Sequence, residues 1–285
     1  MIGFINCYKP QGVSSAYVVN KIKKATGEKC GHLGTLDPNA TGVLPIAIGK
    51  ATRFFDYFLK KDKVYKAVCK FGELTTTLDV EGEIVKKEDV EISKQQIDEK
   101  TSSFIGSIMQ TPPLYSAKSI GGKRAYEYAK QNIEITLAAR EVKIYNFKCL
   151  RKIDDNVYEF LIHCSAGTYV RSLLLDLAVS LGTVGTTISI DRQKSGPFTI
   201  EESFKLDDIC QDPQQYLCSI EQVLPDLKVV NVDFNQFKAL ADGKSIKIAG
   251  LTDNECLIKY QGKEVCLAVR DNEEIKSKIY LYMEE

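Results

Sequence analysis

The sequence contains no long apolar run. No stretch of about eighteen consecutive uncharged apolar residues occurs, and a membrane-spanning helix needs at least that many. The opening residues, MIGFINCYKP, also lack the basic stretch and apolar core that mark a secretory signal. From these two absences we predict that the chain neither crosses a membrane nor is exported, and we expect it in the cytoplasm.

Metal-binding patterns are also absent from the sequence. The nine cysteines form no C-x-x-C pair, and no histidine ladder lies near them; His163 and Cys164 stand alone as a neighbouring pair. Cysteines of this kind in a cytoplasmic protein are reduced and mostly buried, where they act as small apolar side chains. We therefore predict no metal site.

The chain has no net charge, because 38 Lys and Arg residues balance 38 Asp and Glu residues. Neutrality argues against nucleic-acid binding, which usually needs a basic surface. However, residues 1–71 contain 12 Lys and Arg against 4 Asp and Glu, whereas residues 72–103 contain 4 against 9. The N-terminal quarter can therefore present a local phosphate-binding face. The alternative is that these lysines only form the solvated faces of helices.

The most informative segment is residues 31–53, GHLGTLDPNATGVLPIAIGKATR. It places Asp37 in a loop where Gly34 and Gly42 allow backbone conformations closed to other residues. Pro38 biases Asp37 away from the helical region. A carboxylate held in this way needs a cationic partner or a chemical role. The alternative is an ordinary surface turn, since Asp and Asn hydrogen-bond to their own backbone in turns.

A phosphate-binding loop of the G-x-x-x-x-G-K-[ST] type is the competing interpretation of this segment. The spacing argues against it, because the six residues between Gly42 and Gly49 are too many for the motif. In addition, Pro45 interrupts the loop, and Ala51 occupies the position of the magnesium-binding hydroxyl. We therefore do not expect nucleotide hydrolysis.

Apolar periodicity and capping signals predict several elements before residue 200. Tyr65 belongs to a strictly alternating run and should point inward. The predicted helices and strands alternate irregularly, which favours an α+β fold over a parallel doubly wound one. The helices are expected near 15–25, 54–59, 94–104 and 169–181, and the strands at 64–71 and 157–164.

From Gln222 onward the sequence changes to short β-like runs separated by polar turns. This change predicts a separate small β domain, and we divide the chain into residues 1–224 and 225–285. The predicted strands of the second part are 227–232, 245–248, 255–260, 264–269 and 279–282.

Residues 31–53 resemble the catalytic motif of the TruB family of tRNA pseudouridine-55 synthases, G-H-x-G-T-L-D-P-x-A-x-G-V-L-P followed by G-x-A-T-[KR]. Every fixed position is met. Lys9–Gly12 resembles the family's K-P-x-G turn, and Gly167–Leu173 resembles its G-T-Y-[IV]-R-[SA]-L motif. Lys63–Ala67 resembles the strand that carries the active-site tyrosine. Ile190–Phe198 resembles L-R-R-T-x-x-G-x-F, with Ile190 replacing leucine and Asp191 replacing a basic residue.

The resemblance implies roles for individual residues. Asp37 is the essential carboxylate, and Arg171 grips it through two hydrogen bonds and keeps it ionised. Tyr65 stacks on the flipped base and relays a proton. Three further substrate-binding residues are implied: His32, Tyr169 and Ile190.

The resemblance also implies a fold and a function. We expect a pseudouridine synthase fold, with a mixed, largely antiparallel sheet and flanking helices, followed by a small PUA-like RNA-binding domain. The implied activity is isomerisation of uridine 55 in the tRNA T loop, without cofactor or metal, by a monomer that binds the T arm and needs no protein partner. Two alternatives stay open: a guide-dependent RNA pseudouridine synthase subunit, and a catalytically silent tRNA-binding chaperone.

Overall fold

The computed structural model describes residues 1–116, 118–131, 133 and 135–282. Its strands are β1 (Gly3–Lys9), β2 (Cys30–His32), β3 (Thr41–Ile48), β4 (Lys63–Phe71), β5 (Glu73–Thr75), β6 (Ile84–Lys87), β7 (Gly106–Gln110), β8 (Ser119–Ile120), β9 (Lys123–Arg124), β10 (Arg140–Asp154), β11 (Val157–Cys164), β12 (Gly185–Ser195), β13 (Phe198–Thr199), β14 (Phe204–Lys205), β15 (Lys228–Asn231), β16 (Glu255–Tyr260), β17 (Lys263–Asp271) and β18 (Glu274–Tyr280). Its helices are α1 (Ser15–Thr26), a 3-10 helix (Gly49–Phe54), α2 (Phe55–Leu59), α3 (Lys94–Ser102), α4 (Ala125–Lys130), α5 (Val170–Ser180), α6 (Leu206–Gln211), α7 (Ile220–Val223) and α8 (Phe234–Ala241).

Within the described residues, ten strands form one large mixed sheet. The main order is β14-β1-β3-β12-β4-β11-β10-β7, with β2 paired to β3 and β13 paired to β12. Two pairs, β1 with β14 and β3 with β12, are parallel, and the remaining pairs are antiparallel. The prediction of an α+β fold around a mixed, largely antiparallel sheet is confirmed.

Apolar side chains cover both faces of this sheet. On one face, side chains from α1, α3 and α5 share a core with β4 and β11; Ile22, Ile97 and Leu173 are fully buried there. On the other face, a separate cluster contains Phe4 and Phe58, whose rings lie 5.1 Å apart. Since successive side chains of a strand point to opposite faces, β1 and β3 contribute to both clusters.

Local sequence signals account for the helix boundaries. The Ser14 hydroxyl accepts from the Tyr17 amide at the start of α1, and Gly27 ends the helix in the left-handed conformation, at φ 68°. Ser93 and Gln96 form the predicted capping box of α3. Helix α5 agrees with its prediction to within one residue at each end. Within the described residues, none of the helices is both long and apolar enough to cross a membrane.

Thr41–Ile48, in the second half of the 31–53 segment, forms the inner strand β3, and Pro45 lies within it, opposite Asn6 of β1. One expectation about the N-terminal part is wrong: the helix after the motif, which its aromatic residues led us to expect as well buried, is partly exposed. Phe55 and Leu59 are each 39% exposed, because the helix is short and only one of its sides packs against the sheet.

The C-terminal residues form a second sheet in the order β15-β16-β17-β18, as a PUA-like β domain requires. The predicted strand at 245–248 is wrong, since Ile246 makes only an isolated bridge to Ile275. Leu257 and Leu267 of this sheet lie in the same apolar cluster as Phe4, so the two sheets share buried surface. The boundary between residues 224 and 225 stays a prediction, and residues 283–285 lie outside the described part of the chain.

Candidate active site

Asp37 lies in the loop between β2 and β3, and its side chain is 41% exposed. The loop is held firmly on either side of it. Leu36 and Ala40 are buried in the main core. The Ser15 hydroxyl donates to the Leu36 carbonyl and accepts from the Leu36 amide, both at 2.9 Å. A fixed loop therefore presents one accessible carboxylate.

Arg171, in the first turn of α5, is the cationic partner that Asp37 was expected to have. Its Nη2 lies 2.8 Å from Asp37 Oδ2, and the arginine is only 5% exposed. The two-bond grip stays a prediction. The same guanidinium also donates to the Thr77 and Tyr115 carbonyls, both at 2.8 Å, so its hydrogen bonds are shared between Asp37 and the backbone. The arginine therefore joins three segments of the chain to the Asp37 loop.

Asp79 is a second carboxylate beside Arg171, and the sequence prediction assigned it no role. Its Oδ2 lies 3.2 Å from Arg171 Nη1, and its other carboxylate oxygen accepts from the Thr77 hydroxyl at 2.6 Å. The side chain of Asp79 is only 13% exposed. One buried arginine is thus shared by two carboxylates, of which only Asp37 is accessible. The T-x-D spacing of Thr77 and Asp79 was the available signal.

Lys9 is fully buried beneath the same loop. Its Nζ donates to the carbonyls of Pro10, Val13 and Pro38 at 2.9, 2.7 and 2.8 Å, so every N–H of the ammonium group is used. Burial lowers the pKa of Lys9 to about 8, and the Asp37 charge partly opposes this shift. Lys9 therefore ties the N-terminal turn to the residue that follows Asp37.

Arg192 also supports the loop, and the sequence prediction did not assign it a role. Only 1% of Arg192 is exposed. Its Nε donates to the Val43 carbonyl at 2.7 Å, and its two terminal nitrogens donate to the Thr35 and Gly34 carbonyls at 3.3 and 3.0 Å. Gly42 allows β3 and β12 to lie this close together, because a Cβ on Gly42 would lie 2.3 Å from the backbone carbonyl oxygen of Arg192.

Tyr65 points into the core, as its alternating strand predicted, and is 9% exposed. Sheet register places it beside Arg192, which in turn lies beside Gly42. Burial raises the pKa of Tyr65 to about 12, while Arg192 acts in the opposite direction and Asp37 adds a small further rise. The phenol is therefore protonated and lies within electrostatic reach of Asp37.

Ile190 shares a small pocket with the charged residues. It is half-buried and packs against the main core, so it supplies an apolar wall beside the carboxylates. The pocket opens where a bulge between Thr187 and Ser189 interrupts the pairing of β12 with β4. Its lining consists of Asp37, Asn39, Ala40, Asp79, Val80, Arg171, Thr187, Ile188, Ser189 and Ile190.

His32 and Tyr169 flank the site without lining this pocket. His32 is half-buried on β2, and burial lowers its pKa, with the Arg192 charge adding to the effect. Its Nδ1 is buried and has no hydrogen-bond partner among the described residues. Tyr169 immediately precedes α5; its amide and carbonyl both bond the Gln110 side chain, at 2.8 and 3.1 Å.

Several basic side chains of the expected phosphate-binding face form hydrogen bonds to backbone carbonyls of the protein itself. Lys50 Nζ donates to the Tyr282 carbonyl at 2.5 Å, and Arg53 donates to the Tyr280 carbonyl at 2.6 Å. Both contacts hold the end of β18 and the residues just after it against the 3-10 helix. Lys63 is buried and donates to the Leu59 and Lys61 carbonyls. These residues are structural cations, and the lysines on the outer side of α1 remain exposed.

Comparison with known proteins bears on the whole chain. A family model described as "TruB family pseudouridylate synthase (N terminal domain)" matches residues 21–170. A curated protein of Clostridium tetani, named tRNA pseudouridine synthase B, is 40% identical over 268 residues, which are 92% of either chain. A Clostridium novyi protein of the same name is 41% identical over 248 residues, covering 86% of either chain.

Solved structures extend the likeness to both sheets. A structure titled "Crystal Structure of a Cbf5-Nop10-Gar1 Complex" is matched with a TM-score of 0.68 and 27% identity, over 94% of this chain and 78% of that one. A second, of an H/ACA RNP bound to a substrate RNA, is matched with a TM-score of 0.72 and 23% identity, over 99% and 85% of the two chains. The latter likeness concerns the fold alone.

Proposed function

The chain belongs to the TruB family of pseudouridylate synthases, and we propose that it converts uridine 55 in the T loop of tRNA to pseudouridine. The proposal is supported by the curated relatives, which are named tRNA pseudouridine synthase B and match nearly the full length of the chain. The observation that carries it is the accessible carboxylate of Asp37, paired with the buried Arg171 beside the Ile190 pocket.

The reaction is an isomerisation that this arrangement can perform. The bond between N1 of the base and C1′ of the ribose breaks, and a bond from C5 to C1′ forms. The hydrogen on C5 leaves as a proton, and N1 gains one, so no cofactor is consumed. Asp37 either attacks the sugar or removes its 2′ proton, and both routes need an ionised carboxylate next to the ribose. Arg171 places a buried positive charge next to that carboxylate.

The surrounding residues have complementary roles in the proposed reaction. Flipping a uridine out of its loop costs a few kcal/mol, which stacking and pocket contacts offset. Ile190 offers an apolar surface to the base, and Tyr65 offers a protonated hydroxyl near Asp37. Tyr169 would complete the pocket for the flipped base, and His32 would help to hold the flipped-out strand of the tRNA loop.

We also propose that the enzyme acts alone, as a cytoplasmic monomer that binds the T arm. The competing interpretation comes from the matched solved structures, whose titles describe complexes with Nop10 and Gar1 or with RNA. The curated relatives named as tRNA enzymes are more similar in sequence, at 40% identity against 27%. That difference favours a stand-alone tRNA enzyme over a guide-dependent subunit.

Tritium release provides the test. Purified protein is incubated with unmodified tRNA that carries tritium on C5 of its uridines, with no guide RNA, cofactor or other protein. We expect release that stops when uridine 55 is replaced by cytidine, from protein that elutes as a monomer. Binding of tRNA without release would identify a chaperone. Release only after guide RNA and partner proteins are added would identify a guide-dependent subunit.

A further inference from the structure

Arg192 is a buried cation without an anionic partner. It is the largest of the side chains that are less than 2% exposed, and no carboxylate among the described residues forms an ion pair with it. Isolating a charge from water costs several kcal/mol, and an apolar residue of similar volume is often the more stable choice. An arginine at this position therefore needs fixed polar groups around it.

The neighbours of Arg192 make this burial more costly. Its positive charge acts to lower the pKa values of Lys9, Lys63 and His32, so all three lie within its electrostatic range. Compensation comes from backbone dipoles: the carbonyls of Gly34, Thr35 and Val43 accept hydrogen bonds from the guanidinium. These contacts fix the guanidinium plane rigidly against the loop that carries Asp37.

Tyr65 is the side chain that this rigid guanidinium can orient. The two residues are register partners on β12 and β4, so their side chains lie on the same face of the sheet, and the phenol and the guanidinium interact electrostatically. A guanidinium only donates hydrogen bonds, so a bond between the two groups must be accepted by the phenol oxygen. The hydroxyl proton of Tyr65 is then directed away from Arg192.

We propose that Arg192 is a positioning residue that orients the Tyr65 hydroxyl for proton transfer to or from the flipped nucleotide. In this proposal the backbone carbonyls fix the guanidinium, the guanidinium donates to the phenol oxygen, and the hydroxyl proton is left free for the reacting nucleotide. The inference rests on the proposed function, because it assigns Tyr65 a proton-transfer step in that reaction.

A double-mutant cycle tests this coupling. Single-turnover tritium release is measured at saturating enzyme for wild type, Arg192→Lys, Tyr65→Phe and the double variant, together with the Kd for tRNA. Arg192→Lys should lower the rate about 10- to 100-fold while tRNA affinity stays within about threefold. In the Tyr65→Phe background, the same substitution should lower the rate by less than about threefold, because the hydroxyl it orients is absent.

Lys63→Met is the control, because it perturbs another buried cation that donates to backbone carbonyls. Its effect on the rate should be the same with and without the Tyr65 hydroxyl. Thermal melting establishes that each variant is folded, and Arg192→Lys keeps the charge so that folding is preserved. Equal losses from Arg192→Lys in both backgrounds would overturn the inference. An inactive wild type would instead refute the proposed function.

Discussion

Replacement of Arg171 by lysine is the sharpest test of the site, because it keeps the charge and changes only its shape. The guanidinium reaches Asp37 from one terminal nitrogen and Asp79 from the other, at 2.8 and 3.2 Å, and it also bonds two backbone carbonyls. A lysine ammonium is a single point on a flexible chain. The ammonium can therefore reach only part of this set of two carboxylates and two carbonyls, and the remaining groups lose their hydrogen-bond donor.

The size of the effect follows from which groups lose their partner. The side chain of Asp79 is only 13% exposed, so water can hydrate its carboxylate less easily than that of Asp37 once the arginine is gone. Hydrogen bonds to charged groups contribute about 1.5–3 kcal/mol each, and loss of one partner from a buried ion pair costs about 3–5 kcal/mol. We therefore expect Arg171→Lys to lose about 3 kcal/mol of unfolding free energy. A displaced Asp37 should lower the single-turnover rate about 100-fold.

Urea unfolding and single-turnover tritium release measure these two quantities. Arg151→Lys is the matched control, because Arg151 pairs with Glu159 at 2.8 Å but is 69% exposed. Exposed pairs contribute about 1 kcal/mol or less, so this control should change neither quantity appreciably. An Arg171→Lys variant that matches the control in stability and rate would refute the shared-arginine description of the site.

Three further predictions concern other residues. Asp37→Asn should abolish turnover and leave tRNA affinity within about tenfold, measured by filter binding, because the carboxylate acts on the sugar; activity within a few-fold of wild type would contradict its role. Tyr65→Phe should bind tRNA normally and slow the proton step by about 100-fold or more, leaving a residual single-turnover rate, and a rate equal to that of wild type would reduce Tyr65 to a packing role. Burial raises the pKa of the Cys266 thiol from 9.0 to about 12, so folding keeps it protonated while the unfolded chain ionises. The resulting stabilisation is complete below pH 9 and is lost as the pH rises toward 12. Urea melts at pH 8 and pH 10 check this: between them, the unfolding free energy of wild type should fall by about 1.4 kcal/mol relative to that of Cys266→Ala.

The sequence by itself determined the family, the catalytic loop and the main helices. The motif around Asp37 and the motif containing Arg171 are contiguous, so their residues can be identified without a fold. Helix α1 and helix α3 were equally accessible, because capping by Ser14 and Ser93 depends on residues only a few positions away.

Contacts between distant segments could not be deduced in the same way. That Arg171 bonds Asp79 as well as Asp37 depends on where the Thr77 and Tyr115 carbonyls lie, far away in the sequence. Exposure was also misjudged for Lys50, which looked like a free surface charge. Whether a lysine binds substrate or backbone is decided by the segment that packs next to it. For Lys50 that segment contains Tyr282, two residues after the end of β18.

Only the tertiary structure decided the role of Arg192. In the sequence it is one basic residue of the segment that resembles L-R-R-T-x-x-G-x-F, and that motif does not indicate that it is buried. In the fold, sheet pairing brings β12 between β3 and β4 and places Arg192 beside Gly42 and Tyr65. Burial then turns an ordinary arginine into a rigid cation under the catalytic loop, because a charge removed from water must be held by fixed dipoles around it.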